Sequence, residues 1–225
     1  MNKRILPLII LALLLSIINN GFGQANYLEY HRTIIKCERL IANREFNKAI
    51  SSLDSLFKRY DFVFLRDIRL AAELSAFQGD TTSTIYFIRQ GIENGWTWKS
   101  IKKKELFAPF RNNQEWQKME NDYGAIHSKY LKRLNMPLRE ESHKMLKRDQ
   151  TKALGVFFRI GEKAKARHAQ KKFGPHSEKQ MKQLNSILDR YGYPGEKLIG
   201  NNWWMSVVLS HHNSISVDYN SKDTL

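Results

Sequence analysis

The sequence predicts an all-α fold built of antiparallel helical hairpins followed by a second, smaller helical domain. Three observations carry this. Apolar residues recur three and four apart from Tyr27 to about His127 and again beyond Leu138, the period of a helix face and not of a strand. The breaks between the first helices are only a few residues long, which leaves room for neighbour packing alone. A chain of 225 residues that is 42% hydrophobic can bury a sizeable core, and its recurring apolar and aromatic residues exclude a wholly disordered chain.

The first 23 residues read as an export signal. Lys3 and Arg4 form a positive start, Ile5 to Ile18 is apolar apart from Ser16, and Asn19 to Ala25 is polar and small. Fourteen helical residues reach about 21 Å, short of a hydrocarbon core of about 30 Å. No later run is of spanning length, so no transmembrane domain is expected in the mature chain. The expected location is the periplasm or the exterior. A lone cysteine, Cys37, rules out an intramolecular disulfide scaffold and sits on a helix face with Ile34 and Ile41, as a buried free thiol would.

The first domain is expected over residues 27–134. Tyr27, Tyr30, Ile34, Cys37 and Ile41 form one stripe, broken by Asn43-Arg44-Glu45. Ala49, Ile50, Leu53, Leu56, Phe57 and Tyr60 form the next. Asp61 is placed to cap a third helix bearing Phe64, Ile68, Ala71 and Ser75, and Gly79 to Thr82 is a turn leading to a fourth with Ile85, Ile88 and Ile92. Beyond Gly95, the aromatic run with Trp96, Trp98, Phe107, Pro109 and Phe110 reads as a short helix and an ordered loop closing the stack. A final helix carries Trp116, Met119, Tyr123, Ile126 and Tyr130.

Ala49 and Thr84 stand 35 residues apart at equivalent places in the second helix of each pair, close to the period of a two-helix repeat. On these residues, segment 27–95 resembles the tetratricopeptide repeat family, and the Gly-Trp to Trp116 segment extends the likeness to about residue 127. The resemblance implies a concave face that binds peptides or proteins.

Asn135-Met136-Pro137 marks the start of a basic helical domain over residues 138–225. Residues 129–172 hold 14 Lys or Arg against four acids. A helix is predicted from Leu138 to Ile160 with Met145, Leu146, Ala153, Leu154, Phe157 and Phe158, and the basic stretch from Gly161 to Pro175 reads as a solvated helix or connection, with a polyanion-binding arm as the alternative. A further helix with Met181, Leu184, Leu188 and Tyr191 stops at Gly192, which can take the left-handed position, and Pro194. Asn201-Asn202 precede a last helix through Trp203, Trp204, Val207, Val208 and His211, in which His211 faces inward with Trp204 and Val207 and His212 points elsewhere. Asp149, four residues from Met145 and Ala153, puts a carboxylate inside an apolar stripe; buried, it needs a partner.

Met145, Asp149 and Gln150, then Asn185 with Tyr191-Gly192-Tyr193-Pro194, then Ile199-Gly200 and Ser210-His211-His212-Asn213, resemble the pattern of a bacterial domain family of unknown function over about residues 139–213. Tyr193, Ser210 and Asn213 depart from it, and the family's continuation past the histidine is missing, so the domain is expected to be incomplete at its C-terminus. The resemblance implies that Asp149, Asn185 and His211 converge as a polar site or buried network.

No ligand spacing suggests a metal, and no phosphate loop, dinucleotide fingerprint or nucleophile elbow suggests a cofactor or a nucleophile. With residues 1–23 removed, 35 basic residues face 22 acidic ones, a mature charge of +13. Behind an export signal, such charge suits an anionic envelope surface or an acidic partner better than nucleic acid, for which aromatic interleaving and a recognition helix are absent. The expected function is a protein- or peptide-binding module of the cell envelope. The contrasting expectation is a small hydrolase using Asp149 and His211.

Overall fold

A computed structural model describes residues 27–155 and 158–214, so the export-signal reading, Phe157 of the predicted helix and the tail beyond Ser214 lie outside the described residues. Among the described residues every regular element is helical. The first half runs α1 (Tyr27–Ala42), α2 (Phe46–Phe57), α3 (Leu65–Phe77), α4 (Thr81–Glu93), the short α5 (Trp98–Lys102), a 3-10 turn (Glu105–Phe110), α6 (Gln114–Asn121) and α7 (Tyr123–Arg133). The second half holds α8 (Met136–Leu154), α9 (Glu162–His168), a wide π turn (Ala169–Phe173), α10 (Gly174–Tyr191), α11 (Glu196–Ile199) and α12 (Trp204–Ser214). Among the described residues, no helix is long and apolar enough to cross a membrane.

Local chemistry sets several of the boundaries. Asp80 caps α4 by accepting from the Ser83 N–H at 3.0 Å, and Asn113 and Asn135 do the same for α6 and α8. Pro137 occupies the first turn of α8, where no N–H is missed. The stripe from Trp116 to Tyr130 is carried by two helices, α6 and α7, divided at Asp122. Asp61 does not cap α3. It pairs with Lys197 at 2.7 Å, and the Leu65 N–H at the head of α3 donates instead to Glu196 Oε1 at 2.7 Å, from α11.

Two hydrophobic clusters form. In the first, α1 packs on α2 and α3 on α4, burying Tyr30, Ile34, Cys37, Leu53, Ile68 and Ile88 among others, and Trp96, Phe107 and Trp116 close its end. Ala49 and Thr84 are both fully buried. The second cluster gathers Leu138 and Met145 of α8, Leu184 and Ile187 of α10, Ile199, and Met205 and Val208 of α12. The α10 face that is buried runs through Ser177, Gln180, Leu184 and Ile187; Leu188 and Tyr191, expected inside, are exposed. On α12 the buried face is Met205, Val208 and His212, and Trp203 lies before the helix, exposed.

α8 also stops earlier than the sequence suggested, at Leu154, leaving Leu154, Phe158 and Ile160 exposed. The two clusters meet along a polar seam. Beside the seam, within the second half, the Asn135 N–H donates to the Leu198 carbonyl at 2.9 Å, and the Arg139 guanidinium donates to the Ile199 carbonyl. The Asn201 N–H reaches the Tyr130 hydroxyl at 3.1 Å, and its side-chain amide reaches the Asn94 carbonyl at 2.8 Å.

Candidate functional site

Asp149 and His211 do meet. α8 presents Asp149 one turn beyond Met145, toward α12, where the His211 Nδ1 contacts its Oδ2. The carboxylate is sealed from solvent, whereas the His211 side chain keeps 30% of its surface exposed. Burial pushes the Asp149 carboxyl above its usual range, and the bond to His211, the His211 charge and His176 pull it part of the way back. His176, on α10, is held below its usual value by burial, opposed by Asp149 and reinforced by Lys152, Arg148 and Lys179. Phe173 stands edge-on to His211, ring centroids 6.2 Å apart.

Asn185 does not join them. It lies on the exposed face of α10, because the helix turns Ser177, Gln180 and Leu184 inward and position 185 falls about 100° from Leu184. The polar residues that do line the interior were not singled out by the sequence. Gln180 donates from Nε2 to the Met145 carbonyl at 2.7 Å, Ser142 is fully buried on α8, and Ser177 Oγ lies 2.7 Å from His212 Nδ1. His212, expected to point away, is the more deeply buried of the two histidines.

Asp149 and Ser177 contact different imidazoles. A serine–histidine–carboxylate system needs one imidazole between hydroxyl and carboxylate. Among the described contacts, Ser177 Oγ meets His212 and Asp149 meets His211, the neighbouring ring. Ser206 is exposed, near the Tyr193 hydroxyl at 3.5 Å. What the Asp149–His211 contact can do is fix a partly exposed imidazole with its Nδ1 toward the carboxylate. Among the described residues, no three His, Cys, Asp or Glu side chains converge as a metal site.

A second buried carboxylate, Asp67, sits in the first half. Its Oδ2 accepts from the Tyr30 hydroxyl at 2.7 Å and its Oδ1 from Arg66 Nε at 3.0 Å. Burial and the neighbouring Asp67 charge raise the Tyr30 hydroxyl far above its usual value. The signal that marked Asp149 would have found it: Asp67 interrupts the Phe64–Ile68–Ala71 stripe.

The open concavities lie elsewhere, along the first half of α8. One, of about 450 Å³, is lined by Met136, Pro137, Arg139, Glu140, His143 and Trp204. The other, of about 270 Å³, shares Pro137 and Glu140 and extends to Arg148 and Gln183. His143 stacks on Trp204 with centroids 4.6 Å apart, and the Arg139 guanidinium lies 4.9 Å from the same ring. Neither Asp149 nor His211 lines either concavity. Compared with protein-family models, curated proteins and solved structures, the chain matches none.

Proposed function

We propose that the chain is an exported module of the cell envelope that binds a partner protein or peptide. The observation that carries this reading is the open concavity beside α8, where Met136, Pro137 and Trp204 offer apolar surface among Arg139, Glu140 and His143. Met, Trp and Arg are the side chains that protein interfaces favour, and an open trough suits an extended segment better than an enclosed small molecule. Trp203, next in sequence, is 80% exposed. The consecutive pairing of α1 with α2 and α3 with α4 supports the tetratricopeptide-like reading of the first half. The basic, polar-cored second half is compatible with the domain family that it resembles, and the first 23 residues support export.

Selection of displayed peptides on the whole chain tests this. Enriched peptides are expected to bind the native protein and to lose at least about tenfold in affinity against Met136→Asp, a change at an exposed position. Absence of enrichment, or equal binding to the variant, refutes it.

The hydrolase reading is favoured by one observation, the contact that holds the partly exposed His211 imidazole against the buried Asp149 carboxylate. On that reading water is the nucleophile, since Ser177 is buried and faces His212, not His211. Ester and phosphoester panels separate the two: turnover by the native chain and none by His211→Asn supports hydrolysis.

A further inference from the structure

The corner between α8 and α9 exposes large apolar side chains in a setting that is otherwise cationic. Leu154 is 51% exposed, Phe158 83% and Ile160 98%. A single exposed apolar residue is ordinary. Three within seven residues are not, and none of them belongs to either hydrophobic cluster. α9 follows with no buried residue at all. Its end is tied back to α8 where His168 Nε2 meets the Lys152 carbonyl at 3.1 Å, so the basic side chains of both helices surround the same corner.

Charge there has one sign. Between positions 147 and 172 stand nine Lys or Arg and two carboxylates. Of these carboxylates, Asp149 is sealed in the interior and Glu162 is paired with Lys165 at 3.0 Å. Arg148, Lys152, Arg159, Lys163, Lys171 and Lys172 are all exposed. Cationic groups alone would suit any polyanion. A polyanion, however, gives no reason for Phe158 and Ile160 to stand in water beside them. A bilayer with anionic headgroups satisfies both features, because its interface accepts apolar side chains and its phosphates attract Lys and Arg.

We propose that this corner docks the protein on an anionic lipid bilayer. Phe158 and Ile160 enter the headgroup region while the surrounding Lys and Arg side chains lie against lipid phosphates. The contact is peripheral, since among the described residues no helix could span a membrane. It uses a different surface from the α8 trough and does not depend on a peptide binding there.

Co-sedimentation of the full chain with vesicles tests it, comparing phosphatidylglycerol–phosphatidylcholine mixtures with phosphatidylcholine alone. Phe158→Ser/Ile160→Ser is expected to fold with an unchanged melting temperature, since both side chains are exposed. It should lose at least about tenfold in affinity for the anionic vesicles. Lys163→Glu/Lys171→Glu should lose as much, and added salt should weaken the native binding. The apolar N-terminal segment is common to all these chains, so it cannot produce the difference. Equal binding of the Ser variant would point to charge alone, a polyanion site that soluble polyphosphate would fill, and would overturn the proposal. So would equal binding to neutral vesicles, no vesicle binding by the native chain, or a native dimer that the Ser substitutions dissociate.

Discussion

Asp149 shows how one side chain can be read from sequence while its surroundings cannot. A carboxylate at helical spacing between Met145 and Ala153 had to find a partner, and His211, equally out of place among apolar residues, supplies it. The third expected member failed because Asn185 stands one step round the helix from Leu184, outside the buried face. His212 escaped notice because the register of α12 follows from where it starts. Asn202 accepts from the Trp204 N–H at 3.3 Å, so the helix begins at Trp204 and turns Met205, Val208 and His212 inward. The Asp149 carboxyl is raised in the fold, so its contribution to stability is fully present below its unfolded value and is lost as pH rises through the folded one. Removing its partner in His211→Ala leaves the ionised form unpaired, a loss of about 2–3 kcal/mol at neutral pH. Urea unfolding should find a smaller loss at pH 4.5, where more of the carboxyl is protonated. Equal losses at both pH values would mean that the carboxylate is not the cause.

Elements whose boundaries are set by neighbouring residues were legible; those set from a distance were not. The turn at Gly79-Asp80 fixes the start of α4 through a cap three residues long, and Asp80→Ala should cost about 1 kcal/mol in thermal or urea unfolding. The head of α3 offers no such local sign. Its N–H is satisfied by Glu196, 131 residues away, which no window of sequence could reveal, and Asp61, the local candidate, is engaged by Lys197. Burial raises the Glu196 carboxyl while the Leu65 N–H and Arg133 lower it again. Its net displacement is upward, so this group favours folding below its unfolded value and weakens it as pH rises above that. Glu196→Gln keeps an oxygen for the Leu65 N–H and removes the charge. The melting temperature of this variant is expected to fall less between pH 4.5 and 7 than that of the native chain; parallel curves would refute the assignment. Gly200 marks the other constraint on this junction. Its φ is +85°, and a side chain there would run into the Tyr130 hydroxyl and come within 2.6 Å of Arg139 Nη1. Gly200→Ala should therefore lower stability by roughly 2 kcal/mol or more in urea unfolding.

At the scale of the whole molecule, the sequence suggests two helical units, and the seam between them determines how they behave. The first cluster is dense in aromatics and closed by Trp96, Phe107 and Trp116. The second is smaller and carries Asp149, Ser142, Gln180, Ser177 and His212 inside, polar groups that give less for their burial than apolar ones of the same size. Left alone, the second half would be the weaker. Its α11 segment, however, supplies the acceptor at the head of α3 through Glu196 and the ion pair to Asp61 through Lys197. Asn201 bonds at once to Tyr130 of α7 and to the end of α4 at Asn94. These contacts join residues far apart in sequence, so they exist only while both halves are folded, and each half then lends stability to the other. Hydrogen exchange read by mass spectrometry in increasing urea should therefore give one midpoint for peptides around Ile68 in α3 and around Met145 in α8. Glu196→Ala/Lys197→Ala/Asn201→Ala removes the Glu196, Lys197 and Asn201 side-chain contacts across the seam and leaves the residue 201 N–H bond to Tyr130 and both hydrophobic clusters in place. The midpoint for α8 is then expected to drop below that for α3, turning one transition into two. Two midpoints already present in the native chain would show that the halves fold independently and that the seam only orients them.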